Sequence, residues 1–132
     1  MTLLAIFRHV ALCAALTLPP AVLNAAAADF TLELVPGDLA VGTGAVVTLR
    51  LTDLRTGAPV SGAVIFARRM DMEPDGMETM TAPVTSLPTD DPGLYRFQTD
   101  LVMAGNWRLS VAAKVQGERD TVSTQIVIGV QP

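Results

Sequence analysis

Between Arg68 and Met80 the chain reads RRMDMEPDGMETM, which sets Met70, Met72, Met77 and Met80, four of its six methionines, among the carboxylates Asp71, Glu73, Asp75 and Glu78. A thioether is soft and polarizable, so it either fills irregular apolar gaps or ligates a soft ion such as Cu(I) or Ag(I). If Met70 and Met72 continue a strand, their side chains share one face, about 7 Å apart. Pro74-Asp75-Gly76 predicts a tight turn, since proline fixes φ and glycine takes positive φ freely. That turn folds Met77 and Met80 back toward the first pair, and Met103, in a separate turn, is expected to reach the same end of the domain. Together these five side chains can supply the roughly two to four sulfurs that a monovalent soft ion takes. Packing against the core is the alternative use of the same residues.

The carboxylates suggest a different ion. Asp71-x-Glu73-x-Asp75-Gly76 has the opening rhythm of a calcium loop, in which alternate oxygens ligate and glycine makes the bend. The register then fails, because Ala82 stands where the bidentate glutamate belongs, Pro74 interrupts the loop, and the flanks read as strands rather than helices. Nothing marks the apolar pocket that paired carboxylates such as Asp90-Asp91 would need for acid catalysis. The acidic residues of the methionine stretch are therefore expected to be solvating neighbours, and no enzymatic activity is expected.

Composition narrows the choice of ion further. The first 28 residues hold Arg8, His9 and Cys13 and no acidic residue, then an apolar run, Pro19-Pro20 and an alanine string ending at Ala28. A basic start, an apolar core and an A-x-A site read as a secretory signal peptide over residues 1–28, removed on export to the periplasm. The apolar run is shorter than the about 20 residues a membrane span needs, so no span is expected after cleavage. From Asp29 on, 8 of the 9 basic residues face all 13 acidic ones, a formal charge of −5, which disfavours nucleic acid as a partner. No His or Cys is left there. That removes disulfides, zinc held by His or Cys, thiol nucleophiles and histidine-based triads. It also favours Cu(I) over Cu(II), which finds no imidazole. Folding should require no cofactor.

The elements that position the methionines read as short alternating strands with Gly, Pro and Asp punctuation. Val47, Leu49 and Leu51 alternate with Thr48, Arg50 and Thr52, and Tyr95, Phe97, Thr99 and Leu101 alternate with Arg96, Gln98 and Asp100. Trp107 to Val115 and Arg119 to Val130 continue the pattern. Val60 to Arg69 is apolar on both faces, which leaves its inner side unassigned, and its residues are expected in the core. Asp91-Pro92-Gly93-Leu94-Tyr95 predicts a tyrosine corner, a phenol bonded to backbone at a sandwich edge. These segments make an all-β, immunoglobulin-like antiparallel β-sandwich of about seven strands in one domain, residues 29–132.

Two segments, ARRMDMEPDGMETMTAPV (67–84) and PGLYRFQTDLVMAGNWRLSVAAKVQGE (92–118), resemble the YtkA-like/FixH-like group of small exported or membrane-associated β-sandwich domains. The paired signature is the methionine hairpin and the L-x-MAG-x-W turn, Leu101 to Trp107. The resemblance implies an accessory role in copper or heavy-metal handling, with an efflux adaptor or delivery protein as partner. Taken with the residues, it leads to the expectation of a periplasmic, non-enzymatic carrier that captures Cu(I) or Ag(I) at an exposed loop and passes it on. The competing expectation is an interaction module whose methionines form a docking surface without metal.

Overall fold

The structure, a computed structural model, describes residues 27–132; the expected signal peptide lies almost wholly outside them. Nine strands follow one another: β1 (Phe30–Leu34), β2 (Leu39–Ala40), β3 (Gly42–Asp53), β4 (Val64–Met72), β5 (Met77–Ala82), β6 (Val84–Leu87), β7 (Leu94–Leu101), β8 (Gly105–Lys114) and β9 (Thr121–Gln131). One sheet has the order β1-β3-β7-β6 and the other β2-β9-β8-β4-β5. All pairings are antiparallel except the short β2 against β9. The all-β sandwich matches expectation. The strand count exceeds it because the methionine stretch and the proline-flanked segment after it each contribute a strand, β5 and β6, and β2 adds a two-residue pairing.

The two inner faces meet in a single apolar layer. Phe30, Leu32, Val47, Leu49, Leu51, Phe97 and Leu101 come from the first sheet, and Met70, Met72, Trp107, Leu109, Val111, Ala113, Val122, Ile128 and Val130 from the second. Strict alternation places them there: every second residue of β8 from Trp107 to Ala113 is buried, as a strand with one face in the core requires. Fully burying a large apolar side chain of this kind stabilises by about 1.5–3 kcal/mol.

Tyr95 forms the corner. Its hydroxyl donates to the Val60 carbonyl at 2.8 Å and accepts from the Ala63 amide at 3.0 Å, fixing the chain that enters β4. The bend two residues earlier depends on Gly93, at φ 73°, where a Cβ would stand 2.5 Å from the Cβ of Pro59.

The start of β4 departs from expectation. Ile65 packs on the core, whereas Val64 and Phe66 are 58% and 57% exposed. The register against β8 slips between Ile65 and Ala67, a bulge that breaks the alternation and turns Phe66 outward. Val127, also read as part of an apolar strand, points outward because its neighbour Ile128 takes the inner face.

Candidate functional site

The methionine stretch is a hairpin built into the second sheet. β4 and β5 pair Met70 with Ala82 and Asp71 with Thr81, after which the register jumps and Met72 faces Met77. Glu78, Thr79 and Met80 are the extra residues of that jump. Between the strands, Glu73 to Asp75 form one 3-10 turn closed by Gly76 in the left-handed region, φ 74° and ψ 16°, whose amide donates to the Glu73 carbonyl at 2.8 Å. The Pro-Asp-Gly reversal thus lies where the sequence puts it.

The expectation of an exposed loop is corrected at two positions. Met70 and Met72 are 1% and 0% exposed and belong to the core. The physical reason is the alternation itself: β4 runs through Met72, so both thioethers point to the face that packs against the other sheet. Met77, Met80 and Met103 are half-buried, packed on the core with part of each side chain in contact with solvent.

The turn between β7 and β8 joins this end of the sandwich. Asp75 accepts from the Asn106 backbone amide at 2.8 Å and from its side-chain amide at 3.0 Å. Those bonds hold the Asp75 carboxyl below its ordinary pKa. A Cβ at Gly105 would fall 2.6 Å from the Asp75 carboxylate and 2.8 Å from the Met72 methyl, at a φ of 136° that L side chains rarely adopt. Two residues before Gly105, the Met103 carbonyl accepts from the indole N–H of the buried Trp107 at 3.0 Å. The structure therefore brings Met72, Met77 and the turn bearing Met103 to one end, with Met80 on the adjoining bulge, and sets Met70 deeper, opposite Leu109.

Asp71, expected among solvating carboxylates, is closed off from solvent. One oxygen accepts from Arg69 at 2.8 Å and Arg108 at 3.0 Å, and the other from the Glu73 amide at 3.1 Å. Burial pushes its pKa up, but the hydrogen bonds from Arg108, Arg69 and the Glu73 amide outweigh it and hold the carboxyl below the usual range. Arg69 also donates to the Glu78 carbonyl at 2.9 Å, and Arg108 pairs with Glu73 at 3.3 Å. These two arginines are the residues that sequence reasoning missed. Alternation places Arg108 opposite the Trp107 face, but only the register, Asp71 against Arg108, pairs it with the carboxylate. Among the described residues no group of three or more His, Cys, Asp or Glu side chains is placed to hold a metal ion. None of their helices is long and apolar enough to cross a membrane.

The family model described as YtkA-like matches residues 24–112. Comparison with curated proteins finds no match. The matches among solved structures include two domains. The filamin domain of Lin-41 is 17% identical, over 76% of this chain and 91% of that one, with a TM-score of 0.47. The C-terminal domain of ZirS is 14% identical, over 100% of this chain and 88% of that one, also with a TM-score of 0.47.

Proposed function

The chain belongs to the YtkA-like family, and from that premise we propose that it is a non-enzymatic periplasmic accessory that takes up Cu(I) or Ag(I) on methionine thioethers and passes the ion to a metal-efflux or delivery partner. The observation that carries this reading is the graded exposure of the thioethers at one end of the sandwich. Met77, Met80 and Met103 are each part-exposed; Met77 faces the enclosed Met72 across the hairpin, the turn that carries Met103 reaches the Met72 methyl at Gly105, and Met80 lies on the adjoining bulge. An arriving ion meets the half-buried sulfurs first, and Met72 lies behind them as a further soft donor. Met70, deeper and opposite Leu109, serves packing in this reading. Neutral thioethers bind a monovalent soft ion without releasing protons, and a few such ligands on a rim that solvent reaches suit exchange to a partner.

Titration of the protein with Cu(I) under anaerobic, reducing conditions tests this. The triple variant Met77→Leu, Met80→Leu, Met103→Leu keeps bulk and removes sulfur; it should abolish stoichiometric binding, whereas Met70→Leu should leave it intact. No binding by the parent protein, or unchanged binding by the triple variant, defeats the reading. The second reading, an interaction module without metal, rests on the part-exposed Met77, Met80 and Met103, which can offer a partner an adaptable apolar surface, while Met70 and Met72 serve packing. It predicts no binding in any of these titrations.

A further inference from the structure

Strand β4 is paired along only part of its length. β5 covers Met70 to Met72, and β8 pairs with β4 on the other side, so among the described residues no strand pairs with Val64 to Arg69 on the flank away from β8. Just before this stretch, the Ala63 amide is taken by the Tyr95 hydroxyl, so the open edge begins at Val64. Edge strands of soluble proteins are usually guarded by charge, proline or shortness, because their free N–H and C=O groups template pairing with another chain. Here the edge reads Val64-Ile65-Phe66-Ala67 before the first charge, the bulge at Phe66 is the one such device within that run, and Val64 and Phe66 stand more than half exposed. A cleft of about 440 Å³ runs beside it, walled in part by Ala63, Ile65, Asp90, Asp91 and Tyr95.

We propose that this edge pairs with the same edge of a second copy of the chain, antiparallel about a two-fold axis between Phe66 and Ala67, to form a homodimer with one continuous sheet across the interface. The register follows from the symmetry. Val64 lies opposite the partner's Arg69, Ile65 opposite the partner's Arg68, and Phe66 opposite the partner's Ala67. No like charges face each other, and the two Phe66 rings flank the axis in an isologous contact.

Charge complementarity supports a second copy over any other occupant. Ile65 faces Ala113 and Arg68 faces Val111 across β8, both inner positions, so these two side chains share the face that opens on the cleft. Residues directly opposite in an antiparallel pair project to the same side. The partner's Arg68 therefore enters the cleft where Asp90 and Asp91 line the wall beside Ile65. Arg68 holds the Val84 carbonyl through Nε at 2.8 Å, which leaves its terminal nitrogens for these carboxylates. The symmetry makes the contact twice, so a chain with a net negative charge carries at this one flank a surface complementary to itself.

Sedimentation equilibrium of the protein, expressed as the full chain and followed over a wide concentration range, reads the outcome. The parent should form a dimer. Phe66→Lys, which sets a charge beside its own symmetry mate, should weaken dimerisation at least about tenfold, and Arg68→Glu, which faces Asp90 and Asp91 with a like charge, should do the same. Adding Asp90→Lys and Asp91→Lys to Arg68→Glu reverses both sides and should restore the dimer. All of these positions are at the surface, and an unchanged thermal midpoint of a dilute sample verifies the fold. A parent that stays monomeric at every concentration, a dimer indifferent to both Phe66→Lys and Arg68→Glu, or a charge swap that does not restore association overturns the proposal.

Discussion

Asp75 grips Asn106 through both carboxylate oxygens, one on the backbone amide and one on the side-chain amide, at 2.8 and 3.0 Å. One residue pair thus ties the tip of the methionine hairpin to the turn that carries Met103. The two stretches are 31 positions apart in the chain. Gly105 is pressed against Asp75 and Met72, and Met103 is held by the indole of Trp107. Any chemistry of the thioethers at this end depends on that junction.

Asn106→Ala should loosen the junction without touching a sulfur. It removes the side-chain amide but keeps the backbone donor, so about 0.5–1.5 kcal/mol of stability should be lost. Gly105→Ala should cost more, about 1–3 kcal/mol, because it combines an unfavourable φ with contacts to Asp75 and Met72 that cannot both relax. Urea unfolding measures both. If the thioethers at this end bind Cu(I), Gly105→Ala should also weaken the ion, since the displaced group is the Met72 methyl.

Asp71→Asn probes the buried carboxylate. The amide fits the space but cannot satisfy Arg69, Arg108 and the Glu73 amide together, and a loss of about 1–3 kcal/mol at neutral pH is expected. The pH dependence follows from the sign of the shift. The pKa of Asp71 is lowered in the folded protein, so its contribution is fully present above the ordinary carboxylate value near 3.8 and is lost as pH falls through the folded pKa. Asp53 and Asp75 are lowered as well and share this acid limb. The difference between parent and Asp71→Asn isolates one group: the stability gap should be widest at neutral pH and close below pH about 4. A gap constant down to acid unfolding would show that the lost stability is not that of the ionised carboxylate.

How much of this was readable in the chain depends on the period of each segment. β3, β7 and β8 alternate cleanly, and Val47, Leu49, Leu51, Phe97, Trp107 and Leu109 lie in the core where alternation puts them. The Tyr95 corner and the reversal at Gly76 were legible because proline fixes φ and glycine admits the positive φ that a tight turn needs. The burial of Met70 and Met72 was not, since a methionine-rich run with interleaved acids looks solvated unless its strand is known to continue to Met72. Nor was the exposure of Phe66, which depends on a bulge between Ile65 and Ala67 that leaves no mark in composition. Asp71 misled for a third reason. A carboxylate's partners are set by cross-strand register, and Arg108 lies 37 residues away.

Tyr95, the only tyrosine of the chain, offers a spectroscopic check of the corner. Burial raises its pKa above the ordinary value near 10, against a smaller opposing effect of the Ala63 amide. Phenolate absorbance should therefore appear at higher pH in the folded protein than in urea. Because the folded state holds the proton longer, the shift contributes stability that is lost as pH rises past the ordinary value. Tyr95→Phe leaves the Val60 carbonyl and the Ala63 amide without their partner and should cost about 1–3 kcal/mol.

The division between enclosed and accessible thioethers can be read by oxidation. Conversion of methionine to its sulfoxide follows exposure, and the product is polar. With limiting peroxide on the folded protein, peptide mass spectrometry should find sulfoxide at Met77, Met80 and Met103 well before Met70 and Met72, which oxidise only once the sandwich opens. A thioether engaged by a metal has its sulfur lone pair occupied, so Ag(I), which is redox-inert under these conditions, should slow oxidation of the half-buried three if they hold the ion. Equal oxidation of all five would contradict the enclosure of Met70 and Met72. Enclosure confirmed but no protection by Ag(I) would leave the fold standing and remove the metal from these sulfurs.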